Sequence, residues 1–156
     1  MKILVTGGSW FIGSHVVDKL IEKAKNRENN YYHETDTFLY ECLDNYSIKD
    51  KRVAILGSVE PWYESIVLAY GGIPTTIEYN KLTTDDSRLN LLTVEEYNNN
   101  PISFDAAFSI SSFEHDGLGR YGDPVDPEGD IKAMSNVKEN IIKKSGLLFL
   151  SVPIGI

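Results

Sequence analysis

The chain has 156 residues, 42% of them apolar and 11% aromatic, enough for one globular domain with a sizeable core. Fifteen basic side chains against twenty-three acidic ones leave a net charge of −8, which argues against a nucleic-acid backbone or an anionic membrane as partner. Cys42 is the single cysteine, so an internal disulfide and a cysteine-built zinc site are excluded.

Residues 2–6, with Ile3, Leu4 and Val5, predict a short strand, and Gly7 and Gly8 turn it into a helix from about Trp10 to Lys25. Ile12, Val16, Leu20 and Ala24 share one face of that helix. Residues 26–34 are polar and loop-like. A second helix is expected over about 36–46, capped by Thr35 or Asp36, with Phe38, Leu39, Cys42, Leu43 and Tyr46 as its apolar stripe. In that stripe Cys42 reads as a small buried hydrophobe.

Strands and helices then alternate. A strand over 52–56 turns at Gly57-Ser58-Val59-Glu60, and Pro61 opens a helix that stops at Gly71 or Gly72. Strands follow over 75–79, 90–93 and 105–110. Asn98-Asn99-Asn100-Pro101 reads as a loop. A helix over about 130–143 carries Ile131, Met134, Val137 and Ile141, with Lys143 and Lys144 at its C-terminal end and Gly146 closing it. The last strand covers 147–152. The expected fold is α/β, a Rossmann-like, doubly wound and mostly parallel sheet with helices on both faces. No secretory signal and no apolar run of about 18 residues is visible, so a cytoplasmic protein without a membrane span is expected.

Residues 1–25 carry Thr6, Gly7, Gly8, Phe11, Ile12, Gly13, Ser14 and His15 in a spacing that resembles the opening of the extended short-chain dehydrogenases, the NAD-dependent nucleotide-sugar epimerases and dehydratases. Trp10 replaces the glycine that lets the backbone approach a pyrophosphate. Residues 26–34 form no second strand ending in an acid, and the Tyr-x-x-x-Lys pair of that family is missing. Residues 1–30 are therefore expected to serve as a βα edge segment, and residues 31–156 as the main α/β domain, in one compact unit. The edge strand at Lys2–Thr6 is expected to dock beside 147–152.

The loop after the 52–56 strand is a second candidate for a nucleoside. Gly57, Ser58 and Glu60 precede a helix N-terminus, where backbone donors can meet a carboxylate or hydroxyl. Glu78 ends the next strand, the place from which a carboxylate binds ribose hydroxyls. This spacing suits NAD and S-adenosylmethionine alike. A solvated charge at a strand end is the plainer alternative for Glu78.

Most of the chain carries longer motifs. They are Glu34-Thr35-Asp36-Thr37-Phe38-Leu39-Tyr40-Glu41, Pro61-Trp62-Tyr63-Glu64, Thr76-Ile77-Glu78-Tyr79-Asn80, Phe108 through Pro124 with its Glu114-His115-Asp116-Gly117-Leu118-Gly119-Arg120 centre, and Gly146-Leu147-Leu148-Phe149-Leu150. Over about residues 34–155 they resemble a family of uncharacterised proteins first collected from Caenorhabditis. That pattern is in turn similar to class I S-adenosylmethionine-dependent methyltransferases. The likeness implies a strand order 3-2-1-4-5, counting 52–56 as strand 1, truncated at its C-terminal side after the fifth strand. The Gly-x-Gly-x-Gly loop of those enzymes is replaced by Gly57-Ser58-Val59-Glu60-Pro61.

In that order Gly57, Glu78 and the segment from Ser111 and Ser112 to His115 converge on one crevice. His115 is the candidate general base, or else a hydrogen-bonded turn histidine. Glu114 orients a neighbour or caps a turn. Arg120 holds an acidic acceptor or pairs with Asp116 or Asp123. Catalytic candidates are thus His115, Glu114 and Arg120, and cofactor-binding candidates are Gly57, Ser58, Glu60, Glu78, Ser111 and Ser112. No metal site is expected. The favoured function is methyl transfer from S-adenosylmethionine to a small polar substrate, such as a sugar. The alternatives are a truncated, non-catalytic nucleotide-binding or interaction module, and an NAD-dependent epimerase.

Overall fold

A computed structural model describes residues 10–30, 32–120 and 123–153. The element order is β1 (Trp10–Ile12), α1 (Ser14–Lys25), α2 (His33–Asn45), β2 (Arg52–Leu56), α3 (Trp62–Ala69), β3 (Ile73–Glu78), β4 (Leu82–Thr84), β5 (Asn90–Thr93), α4 (Val94–Asn99), β6 (Phe104–Ile110), α5 (Gly129–Asn136) and β7 (Ile142–Ser151). The main sheet runs β5-β3-β2-β6-β7 with every neighbouring pair parallel. This is the expected 3-2-1-4-5 order. The fold is Rossmann-like α/β.

Alternation along the central strands sorts the core into two layers. Val53, Ile55, Ala106 and Phe108 face α2 and α3, meeting Leu39, Leu43, Trp62 and Ile66. Ala54, Ala107 and Ile77 face the other side, meeting Tyr97, Phe113, Val137 and Ile141. Both sides of each central strand are buried, so these segments are apolar nearly throughout. Asp36 is fully buried in the first layer, where its Oδ2 accepts from Trp62 Nε1 at 3.0 Å and from the Asn30 backbone N–H at 2.8 Å.

The N-terminal region departs from expectation. Trp10–Ile12 is a strand rather than helix, paired in parallel with Leu82–Thr84, and α1 begins only at Ser14. β-branched and aromatic residues before Gly13 favour the extended backbone. The buried stripe of α1 is Val17, Ile21 and Ala24, while Val16 is 52% exposed. Ile12, Val17 and Ile21 pack with Leu68, Leu82 and Leu89, which places this unit on the β5 side of the sheet. The strand expected at Lys2–Thr6 lies outside the described residues.

Three further segments differ. α2 starts at His33 without a side-chain cap, and Cys42, Phe38 and Tyr46 are exposed rather than buried. Residues 94–99 form a helix where a loop was expected at its end; Thr93 accepts from the Glu96 N–H while Glu96 accepts from the Thr93 N–H, a reciprocal cap. The helix expected to reach Lys143 ends as α at Asn136, continues as a π turn over Val137–Ile141, and gives way to β7, which contains Lys143, Lys144 and Gly146. Asp105 explains the early strand: it accepts from Lys143 Nζ at 2.6 Å and from the Arg52 N–H at 3.0 Å, tying the first residues of β7 to β6 and β2. Ile131, expected on the buried face of α5, is 60% exposed.

Candidate functional site

The strand order reverses between β2 and β6, and ligands of open α/β sheets bind beyond the strand ends at such a switch point. A cavity of about 460 Å³ opens there, within the range of small-molecule sites. Gly57, Glu78, Ser112 and His115 all line it. Its floor is apolar, with Leu56, Ile77, Tyr97 and Phe113.

Each wall has a local cause. β2 ends in Gly57 at φ +70°, a left-handed backbone that glycine adopts without strain. The Gly57 N–H donates to the Ile77 carbonyl, joining the turn to β3. Glu78 closes β3 and is 6% exposed; its Oε1 accepts from the Tyr79 N–H at 2.9 Å and the Asn80 N–H at 3.3 Å. Burial pushes its pKa up, and those two backbone bonds oppose the shift. β6 ends at Ser111, held at φ +51°, an unusual conformation for a residue with a side chain. After Ser112, residues Phe113–His115 form a 3-10 turn that aligns His115 on the cavity.

The remaining candidates do not line the cavity. Ser58 is buried beneath the loop, its hydroxyl 2.8 Å from the Glu60 carbonyl and 3.2 Å from Glu64 Oε2. Glu60 contributes that carbonyl and its side chain is exposed. Ser111 Oγ donates to Glu114 Oε1 at 2.5 Å, while Glu114 Oε2 is buried without a hydrogen-bond partner. Glu114 Oε1 stands 3.9 Å from His115 Nε2. Arg120 is exposed and makes no ion pair among the described residues, so the expected pairing with Asp116 or Asp123 is not formed. Asp123 instead accepts from the N–H groups of Gly117 and Gly119 through Oδ2 at 2.8 and 2.9 Å. Those backbone donors are fixed in place, whereas an arginine would have to be ordered at an entropic cost.

Asp116 is the residue the motif reading underused. It follows His115, lines the cavity, and faces Asp123 and Glu78. Burial, then the charges of Asp123 and Glu78, push its pKa up to about 6, with His115 opposing. Position in the same Glu114-His115-Asp116 run was the available signal. Tyr97, in the helix that was not anticipated, could have been found from the Thr93-x-x-Glu96 spacing. Among the described residues no group of three His, Cys, Asp or Glu side chains is arranged to hold a metal ion. No helix among them is long and apolar enough to cross a membrane.

The site is thus a switch-point cavity of a Rossmann-like domain, with a glycine turn, a strand-end acid and a histidine on three of its walls. Residues 50–156 match the model of the family described as "Caenorhabditis protein of unknown function, DUF268", and the chain belongs to that family. The match leaves out residues 34–49, where part of the likeness was expected. Over 35 residues, 20% of this chain, it is also 57% identical to UDP-glucuronic acid decarboxylase 6 of Arabidopsis thaliana and 54% identical to decarboxylase 5 of the same plant. Those 35 residues are 10% of each of these relatives.

Proposed function

We propose that this domain binds S-adenosylmethionine and transfers its methyl group to a small polar acceptor. The observation that carries the reading is the convergence of Gly57, Glu78 and His115 on one cavity. The fit rests on the residues themselves. Gly57 brings backbone, without a side chain, to the cavity wall, and the Glu78 carboxylate at the end of β3 stands where a ribose diol is bound in related sheets. Apolar Leu56, Ile77 and Phe113 suit a purine face. When bound, S-adenosylmethionine supplies an electrophilic methyl group. His115 accepts the proton that a hydroxyl or amine acceptor must lose. The N-terminal likeness to enzymes of sugar nucleotides makes a sugar the first acceptor to try.

NAD suits the cavity less well. Glu78, Asp116 and Asp123 all line it, and a pyrophosphate would meet three carboxylates. At the N-terminus, Trp10–Ile12 is paired strand where a dinucleotide loop would be needed. Calorimetric titration with S-adenosylmethionine, S-adenosylhomocysteine and NAD separates the readings. Binding of the two sulfur nucleosides, weakened tenfold or more by Glu78→Ala, is expected, since a charge-assisted hydrogen bond is worth about 1.5–3 kcal/mol. Binding of NAD alone would overturn the proposal, and binding of none would favour a non-catalytic interaction module.

A further inference from the structure

The switch-point cavity is built to refuse an anion. Glu78 and Asp123 line it and are each 6% exposed. Glu78 accepts from the backbone N–H groups of Tyr79 and Asn80, and Asp123 from those of Gly117 and Gly119. Amides at a strand end and in such a loop are the donors that receive a phosphate or carboxylate when they are free. Here the protein's own carboxylates already occupy them. Lys132 is the only lysine or arginine on the cavity wall among the described residues. Its Nζ is held 2.6 Å from Asp126 and 3.6 Å from Glu128.

Asp116 differs from its two acidic neighbours. It is half-buried on the same wall, yet its carboxylate accepts no hydrogen bond and forms no ion pair among the described residues. A carboxylate taken partly out of water without a partner is costly, and the charges of Asp123 and Glu78 add to the cost. Tyr79 lines the cavity beside them and is 39% exposed. Burial, then Asp116, Asp123 and Glu78, raise the pKa of its phenol, which puts the ring within the field of all three carboxylates. An unpaired carboxylate, an aromatic ring and an apolar floor together make a site for an ammonium group.

We infer that the substrate of this cavity is a small primary amine, held as its ammonium by Asp116 with Asp123 and Tyr79 beside it. The chemistry that follows rests on the methyl-transfer reading above. With the ribose on Glu78, Asp116 is left for the acceptor. An ammonium has no lone pair until it gives up a proton, and His115, on the same wall, accepts that proton. The freed nitrogen pair forms the N–CH3 bond as the S–CH3 bond breaks, and the electrons of the broken bond stay on sulfur. Among sugars this selects an amino sugar and excludes a sugar phosphate, whose charge would face three carboxylates.

Calorimetric titration of the full chain with D-glucosamine, D-glucose and D-glucuronate compares one sugar ring carrying a cation, no charge and an anion. Each is titrated with and without S-adenosylhomocysteine. Glucosamine is expected to bind about tenfold or more tightly than glucose, and glucuronate more weakly than either. Asp116→Asn should remove the advantage of glucosamine and leave S-adenosylhomocysteine affinity unchanged. Asp116→Lys should reverse the order in favour of glucuronate. Ethanolamine, which has no ring to fit, should move the amide resonances of Asp116 and Gly117. Those amides left unmoved by both amines would overturn the inference. So would an Asp116→Asn chain that loses S-adenosylhomocysteine as fully as it loses glucosamine, since Asp116 would then serve the nucleoside. Glucosamine bound by a chain that binds no S-adenosylhomocysteine would uphold the ammonium site and remove the methyl-transfer reading.

Discussion

A Cβ placed on Gly57 would lie 2.3 Å from the Oγ of Ser112. The turn after β2 and the turn after β6 are thus in direct contact, and two walls of the cavity are one packed unit. Gly57→Ala meets this contact and the +70° backbone angle together. A side chain at such an angle costs about 1–3 kcal/mol. The variant is expected to lose that much and a further part from the contact in chemical denaturation, and to lose nucleoside affinity. Adding Ser112→Ala should recover the part due to contact and not the part due to backbone strain.

Glu64 gives the clearest pH dependence. It is 1% exposed, accepts from Thr76 Oγ1 at 2.5 Å and lies 3.2 Å from Ser58 Oγ. Burial raises its pKa from 4.5 to about 6, with both hydroxyl bonds opposing. The folded chain therefore holds this proton more tightly than the unfolded chain. Glu64 costs nothing below pH 4.5, costs progressively more up to about 6, and carries its full penalty above that. The penalty is about 2 kcal/mol. Denaturation midpoints of Glu64→Gln, measured from pH 4 to 8, should fall less than those of the wild type across this window. Equal slopes would remove Glu64 as the cause.

Asp116 adds a slope of the same sign, between its ordinary 3.8 and about 6. Asp116→Asn should therefore raise the melting temperature at pH 8 and leave it unchanged near pH 2.5, where the carboxyl is protonated folded and unfolded alike. A gain that is the same at both pH values would show that charge is not what Asp116 contributes.

The loop that carries Asp116 is knitted by Asp123 and by two glycines in contact, since a Cβ on Gly129 would lie 2.5 Å from the Gly117 Cα. Asp123→Ala removes the acceptor of two backbone N–H groups. It should cost about 3 kcal/mol and speed amide exchange at Gly117 and Gly119. Unchanged exchange at those two amides would mean that the loop is held elsewhere.

Trp62→Phe leaves the ring in the core and removes the donor to Asp36. Asp36 Oδ1 already has no hydrogen-bond partner. Losing a bond to a buried carboxylate is expected to cost about 1.5–3 kcal/mol, read as a shift in denaturation midpoint.

The sheet was legible because its strands are buried on both sides and end in Gly57, Glu78 and the Glu114-His115-Asp116 run. Parallel pairing in a 3-2-1-4-5 order then puts those ends together with no further information. The edges were less legible. A three-residue strand such as Trp10–Ile12 or Leu82–Thr84 has too few residues to show a period, and its pairing is decided by distant contacts. Phe38, Cys42 and Tyr46 share a helical face with apolar character, but periodicity does not say whether anything covers that face. Lys143 and Lys144 suit a helix end by charge, and it is the remote carboxylate of Asp105 that draws Lys143 into a strand. Within the site, Ser58 and Glu60 sit at the right place in the chain but turn inward or outward, which depends on Glu64 six residues beyond Ser58.

Amide chemical shifts, followed by heteronuclear NMR as S-adenosylhomocysteine is added, test the proposed cofactor site most directly. The account predicts shifts concentrated at Gly57, at Glu78 to Asn80 and at Ser112 to Gly117, with the amides of α1 and β1 unmoved. Shifts clustered around β1 and α1 instead, or a spectrum that saturating ligand leaves unchanged, would contradict it.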